Sequence, residues 1–204
     1  MGVDKIVLRA ILSTLAAVAL LFVFMISALV FIYPATMMEI TYDLGMDSAS
    51  IDFAETAYER SDEVYYIAYA TEVAIGIDDY ASIEACGERF IADEHFTEFC
   101  ANKQMPDGVT MEYSQYIYGQ VCVSKYILGD KTGAINRSVE LVGASFPQNN
   151  AMVAVLVNAM AAGDTASKNA IVAQMQTMQA NQDELGLSAT DQAYLSNVLT
   201  MATK

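Results

Sequence analysis

The stretch from Ala10 to Tyr33 constrains this chain more than any other feature: it is an apolar run of 24 residues, with nothing charged between Arg9 and Glu39. As a helix rising ~1.5 Å per residue it measures about 36 Å, against a bilayer hydrocarbon core of ~30 Å, so it is long enough to span with some tilt. A cleaved signal would have a shorter apolar core and small residues at its exit, whereas this run leaves through ALVFIYPATMME. The expected role is therefore an uncleaved anchor. Lipidation does not substitute for it, because Ile6 stands where myristoylation after Gly2 wants Ser or Thr, and there is no C-terminal prenylation cysteine.

This reading divides the chain into a short N-terminal flank (1–9), a transmembrane helix (10–33), a juxtamembrane linker (34–47) and a helical domain (48–204). Lys5 and Arg9 precede the span, whereas Glu39, Asp43 and Asp47 follow it, with no basic residue until Arg60. The positive-inside rule then keeps the N-terminus in the cytoplasm and places the C-terminal domain outside it. Ser13 and Ala17 make a small-xxx-small pair that suits either a partner helix or plain lipid contact.

Beyond residue 33 the chain carries 24 acidic and 8 basic residues, a net charge of −16. A nucleic-acid reader is excluded on electrostatic grounds, since phosphate binding needs a basic surface. Docking on an anionic lipid surface is disfavoured for the same reason. The charge is uneven: residues 34–100 hold 16 acidic and 2 basic side chains, and residues 101–204 hold 8 and 6. Solvated helix faces account for the acidic half, and a basic partner or divalent cations are its functional counterpart.

Helical spacing runs through the rest, with only Pro34, Pro106 and Pro147 to interrupt it and no sustained period-2 alternation. Helices are expected over 48–60 from an Asp47/Ser48 cap, 63–75 ending at Gly76, 80–91, and 94–102, followed by a loop over 103–109. The second half predicts helices over 111–128, 133–144, 150–162 and 165–181, and a last one opening with a capping-box-like Ser188 to Asp191. The segment NAMVAVLVNAMAA is apolar on nearly every face and is expected to be interior.

Catalytic signals are sparse. His95 is the single histidine, in DEHFTEFC; on a helix it shares a face with Glu98 but not with Cys100, so a closed zinc site would need ligands from elsewhere. No HExxH, paired CxxC, EF-hand loop or Gly-rich phosphate loop occurs, and neither enzymatic activity nor a metal or other cofactor is expected. Cys86 and Cys100 lie seven residues either side of Asp93, so an antiparallel hairpin turning there would bring them together as a disulfide in an oxidising compartment. Three buried reduced thiols are the alternative, with Cys122 a core residue in either case. Asn136-Arg137-Ser138 matches a glycosylation sequon but falls on an expected helix.

An internal repeat is the second informative feature. GDKTGAINRSVEL begins at Gly129 and GDTASKNAIVAQM at Gly163, 34 residues on, each joining a more apolar helix to an amphipathic one. In this layout the chain resembles the tetratricopeptide repeat family over residues 63–180. Gly119 and Cys122 fall near that family's small and aromatic helix-A positions, Ala134 near its helix-B alanine and Pro147 near its terminal proline. GIDDYASIEACGERFI (76–91) resembles the turn and helix B of an earlier unit, with Tyr80 at the aromatic position and Ile83 where Ala is usual. The chain departs from the pattern in lacking a helix-A tryptophan, in a 53-residue spacing from Gly76 to Gly129 with an insert over 92–110, and in Lys168-Asn169 where Ala-Ile stands one repeat earlier.

The resemblance implies an all-α stack of antiparallel helical hairpins that binds peptide or protein segments in a groove lined by A helices. Tyr65, Tyr66, Tyr69, Tyr113 and Tyr116, with Tyr118 and Tyr126, fall on two expected A helices, where tyrosine offers contact area and a hydroxyl at small entropic cost. The same rings also suit a core. The expected function is a membrane-anchored helical-repeat scaffold that binds a protein partner. By architecture, small anchored proteins of this kind accompany secretion or envelope-assembly machinery in bacteria. The alternative is an extracytoplasmic ligand- or cation-sensing module with the acidic 34–100 half as sensor.

Overall fold

The computed structural model describes residues 3–105 and 111–203, with side chains from residue 7 onward; among them are twelve α-helices and no strand. The fold is all-α with one long apolar N-terminal helix. The chain divides into two compact units, Met1–Asp62 and Glu63–Lys204. The helix expected to open the C-terminal domain therefore belongs to the first unit.

In the first unit α1 (Val3–Ile32) is one unbroken 30-residue helix. Its stretch 7–32 has a mean hydropathy of 3.0 and is long and apolar enough to cross a membrane. Its side chains are bare: Leu20 is 70% exposed and Phe24 74%. A surface so continuous and so apolar calls for lipid or protein around it.

The segment read as a linker, 34–47, is instead helical over Pro34–Asp43 (α2). Pro34 restarts the chain because proline at the first helical position loses no hydrogen bond and arrives with φ already set. α2 packs on α3 (Asp47–Ser61), burying Met38 against Ile51, Ala54 and Ala57. Ser50 Oγ donates to the Met38 carbonyl at 2.9 Å, and Arg60 donates to the carbonyl of Phe31. The expected Asp47/Ser48 cap is not made. Met46 is the N-cap and offers no side-chain acceptor, while Asp47 places its charge in the first turn, where the helix dipole favours it.

The second unit contains α4 (Val64–Gly76), α5 (Tyr80–Ala92), α6 (Phe96–Asn102), α7 (Tyr113–Ile127), α8 (Lys131–Val142), α9 (Ala151–Ala161), α10 (Thr165–Ala180), a single turn α11 (Gln182–Leu185) and α12 (Ala189–Ala202). Residues 106–110 of the expected loop lie outside the described residues. α4 packs on α5 and α5 on α7; α7 packs in turn on α8 and α9, α9 on α8 and α10, and α10 on α12. One hydrophobic core runs through α7 to α12, from Cys122 and Tyr126 through Phe146, Met152 and Met175 to Leu195 and Val198.

Three turns share one construction. A helix closes on a left-handed residue, Asp78 (φ 56°), Gly129 (φ 100°) or Gly163 (φ 65°). The next amide, from Asp79, Asp130 or Asp164, donates back to the carbonyl five residues earlier, at 2.9–3.0 Å. The same aspartate then caps the following helix, accepting from the amide of Ser82, Gly133 or Ser167. Gly76, expected to be the first of these turn glycines, is the last residue of α4, and Asp78 takes the left-handed place. The final helix starts as expected, with Ser188 Oγ accepting from the Asp191 amide.

Candidate functional site

The register of α7 against α9 is fixed at two levels. A Cβ on Gly119 would sit 3.4 Å from Ala154 Cβ, so glycine lets the helices approach there. At their far ends Tyr126 Oη donates to Asp164 Oδ2 at 2.9 Å, and Lys131 Nζ reaches the same oxygen at 2.6 Å. Gly119 to Ala154 and Tyr126 to Asp164 are nearly the same step along the chain, so α7 and α9 run side by side in one direction. Gly119, Cys122 and Tyr126 face this packing, and Val121 faces α5.

That leaves one side of each helix open. On α7 it holds Tyr116, Gln120, Val123 and Ile127, spaced four, three and four residues apart. Ile127 is 44% exposed. On α9 Val157 is 56% and Met160 45% exposed. α9 is therefore not interior on all sides, contrary to its sequence reading: Met152, Val155, Leu156 and Ala159 are buried and the opposite side is bare. The helix has no charged residue, so no charge of its own shields the exposed valine and methionine.

The tyrosines singled out from the sequence separate. Tyr65 is exposed and its ring meets Tyr66 and Tyr69 at 5.5 and 6.3 Å, so these three form a cluster on α4. Tyr116 is half-buried at the edge of the open α7 side. Tyr113 is buried, and its hydroxyl donates to Glu72 Oε1 at 2.5 Å. Burial and this carboxylate push its phenol well above the ordinary range, and Tyr113 serves here as a buried hydrogen-bond donor. Val123, Ile127, Val157 and Met160 escaped the sequence reading. Their signal was present in the all-round apolar character of α9, which exceeds what one buried side requires.

Away from this face, several ion pairs join α5, α7 and α8. Lys125 Nζ lies 2.7 Å from Glu84 and 3.6 Å from Glu88, while Arg137 binds Glu88 with two nitrogens and Glu140 with a third. A cleft of about 580 Å³ lies between α6 and the start of α7, lined by Phe96, Cys100, Lys103, Met105, Tyr113 and Tyr118 among others.

Of the two readings of the cysteines the structure has the thiols: Cys86, Cys100 and Cys122 are all free and buried, with no Cys86–Cys100 bridge. α6 joins α5 through aromatic contacts instead, with Phe90 meeting Phe96 at 4.8 Å and Phe99 at 5.5 Å. Burial pushes the Cys100 and Cys122 thiols up to about 12, which keeps both protonated and unreactive while covered. His95 is exposed, 3.5 Å from Glu94. Among the described residues no three His, Cys, Asp or Glu side chains converge as metal ligands.

Comparison with protein-family models, with curated proteins and with solved structures returns no match. The site is therefore read from its own geometry.

Proposed function

We propose that this chain is a single-pass, membrane-anchored scaffold whose unit Glu63–Lys204 is a tetratricopeptide-like stack that binds another protein across the open side of α7 and α9. The observation that carries the reading is the exposure of Val157, Met160 and Ile127 on helices that are otherwise well packed. Exposed apolar side chains on α7 and α9, with no charge on α9, suit a partner's apolar residues. The identical construction of the turns at Asp78, Gly129 and Gly163 supports the repeat, since each sends the chain from an A-type helix into a capped B-type helix. Attachment through α1 would hold the binding unit at a membrane, where secretion or envelope-assembly machinery is the expected setting.

A photo-reactive residue at Val157, compared in intact cells with the same residue at the exposed Gln174 on α10, tests the face. Discrete adducts from position 157 and none from 174 are expected. The reading fails if adducts arise equally from both positions or from neither.

A further inference from the structure

On the path from α5 to α7 one carboxylate holds the chain at two points, the close of α6 and the start of α7. Glu72, on α4, receives the hydroxyl of Tyr113 at 2.5 Å, from the first residue of α7. The same Oε1 binds Lys103 Nζ at 2.7 Å, from the residue that closes α6. Lys103 also lies over the rings of Phe99 and Tyr113, at 5.9 and 5.6 Å from their centroids. α6, which Lys103 closes, has only seven residues, too few to persist as a helix without its packing.

The attachment of α6 is narrow. Phe96 and Cys100 are its buried residues, and Thr97, Glu98, Ala101 and Asn102 are exposed. Phe96 rests on Phe90 and stacks on Tyr118 at 5.5 Å. The cleft of about 580 Å³ lies along this inner side, so α6 covers the start of α7 without filling the space between them. Void beside a short helix forfeits packing contacts and lowers the cost of its local release. Of these residues only Tyr118 packs against the core that runs through α8 to α12.

From this geometry we propose that α6 is a strap that opens as a unit while α7 to α12 stay folded, and that Glu72 is the clasp that keeps it shut. Opening uncovers Cys100 and the ring faces of Phe90, Tyr113 and Tyr118. The device is independent of which partner the α7–α9 side takes.

Two buried cysteines report on it. Cys100 sits on the inner side of the strap itself, while Cys122 is 0% exposed in the main core, so the first labels on strap opening and the second only when the core opens. Full-length protein in detergent micelles, with either Cys100 or Cys122 retained and the other cysteines changed to alanine, is treated with a maleimide. Cys100 should label at least tenfold faster than Cys122. Glu72→Gln should speed Cys100 labelling about tenfold further, the scale of one charged hydrogen bond, with Cys122 unmoved. Lys103→Met should act in the same direction and more weakly, because that pair is largely solvent-exposed. Hydrogen exchange of the unsubstituted protein provides the second reading, with the amides of Phe99 and Cys100 exchanging ahead of those of Val121 and Cys122. Equal labelling of the two cysteines, a Glu72→Gln effect that raises both together, or exchange of α6 and α7 at one rate would each overturn the proposal.

Discussion

Gly87 is the point where α5 comes closest to α7. A Cβ there would lie 2.3 Å from Cγ2 of Val121, which is fully buried and stiff at its branched carbon, with Thr71 Cγ2 3.7 Å away on α4. Replacing Gly87 by alanine gains up to ~1 kcal/mol of helix propensity. Overpacking a tight core costs ~1–3 kcal/mol, and no flexible chain end is available to give way. Gly87→Ala should therefore destabilise the protein by about 1 kcal/mol net, read from the urea midpoint. Gly76→Ala, at a place with nothing within 4 Å, should instead hold or raise the midpoint. Residue types alone do not separate these two glycines, because the difference is the distance to another helix. The same limit explains Tyr113 and Tyr116: both fit an A-helix groove by sequence, yet Tyr113 turns inward to Glu72 and Tyr116 lies at the edge of the open side.

Among the elements, the turn at Asp164 carries the most bonds on one side chain. Its carboxylate accepts from Lys131, from the amide and hydroxyl of Ser167, and from Tyr126, so it stops α9, starts α10 and ties both to α7 and α8. The Lys131 ammonium first, then the Ser167 donors and Tyr126, hold its carboxyl well below the usual carboxylate range. A folded-state value lowered in this way adds stability that is complete above the unfolded value of ~3.9 and is lost as pH falls through the folded one. Asp164→Asn should lower the melting temperature at pH 7 and flatten the loss of stability on acidification. An unchanged acid limb in Asp164→Asn would show that other carboxylates set it. This turn was legible, since the Gly-Asp pairs stand 34 residues apart and their glycines take the left-handed positions. Its counterpart at Asp78-Asp79 was misplaced by two residues, because an aspartate occupies the left-handed place where glycine was sought. α2 was missed for a related reason: Pro34 reads as a break, and position N1 is where a helix tolerates it. Helix positions along α4 to α10 and at α12 followed from apolar spacing, whereas the single turn α11 and the open side of α9 did not, since periodicity alone cannot tell a residue facing a neighbour from one facing nothing.

For the whole molecule, the proposed anchoring through α1 makes the side of the membrane on which Glu63–Lys204 would work decide its partners, and the flanking charges are what support the outer side. Lys5 and Arg9 precede the span, and the first charges beyond it are acidic. Moving a strongly acidic C-terminal part outward does not conflict with that rule, because acidic residues contribute little to orientation and long domains cross largely regardless of charge. The buried thiols do not oppose it either. With α6 in place Cys100 and Cys122 are buried and protonated, so an oxidising compartment finds no surface thiolate there to oxidise. A single cysteine at the exposed Asn169, in a background with Cys86, Cys100 and Cys122 changed to alanine, should react with a membrane-impermeant maleimide on intact cells. Reaction only after permeabilisation would reverse the orientation. The apolar side of α7 and α9 would then face cytoplasmic proteins, and the search for a partner among envelope components would have no basis.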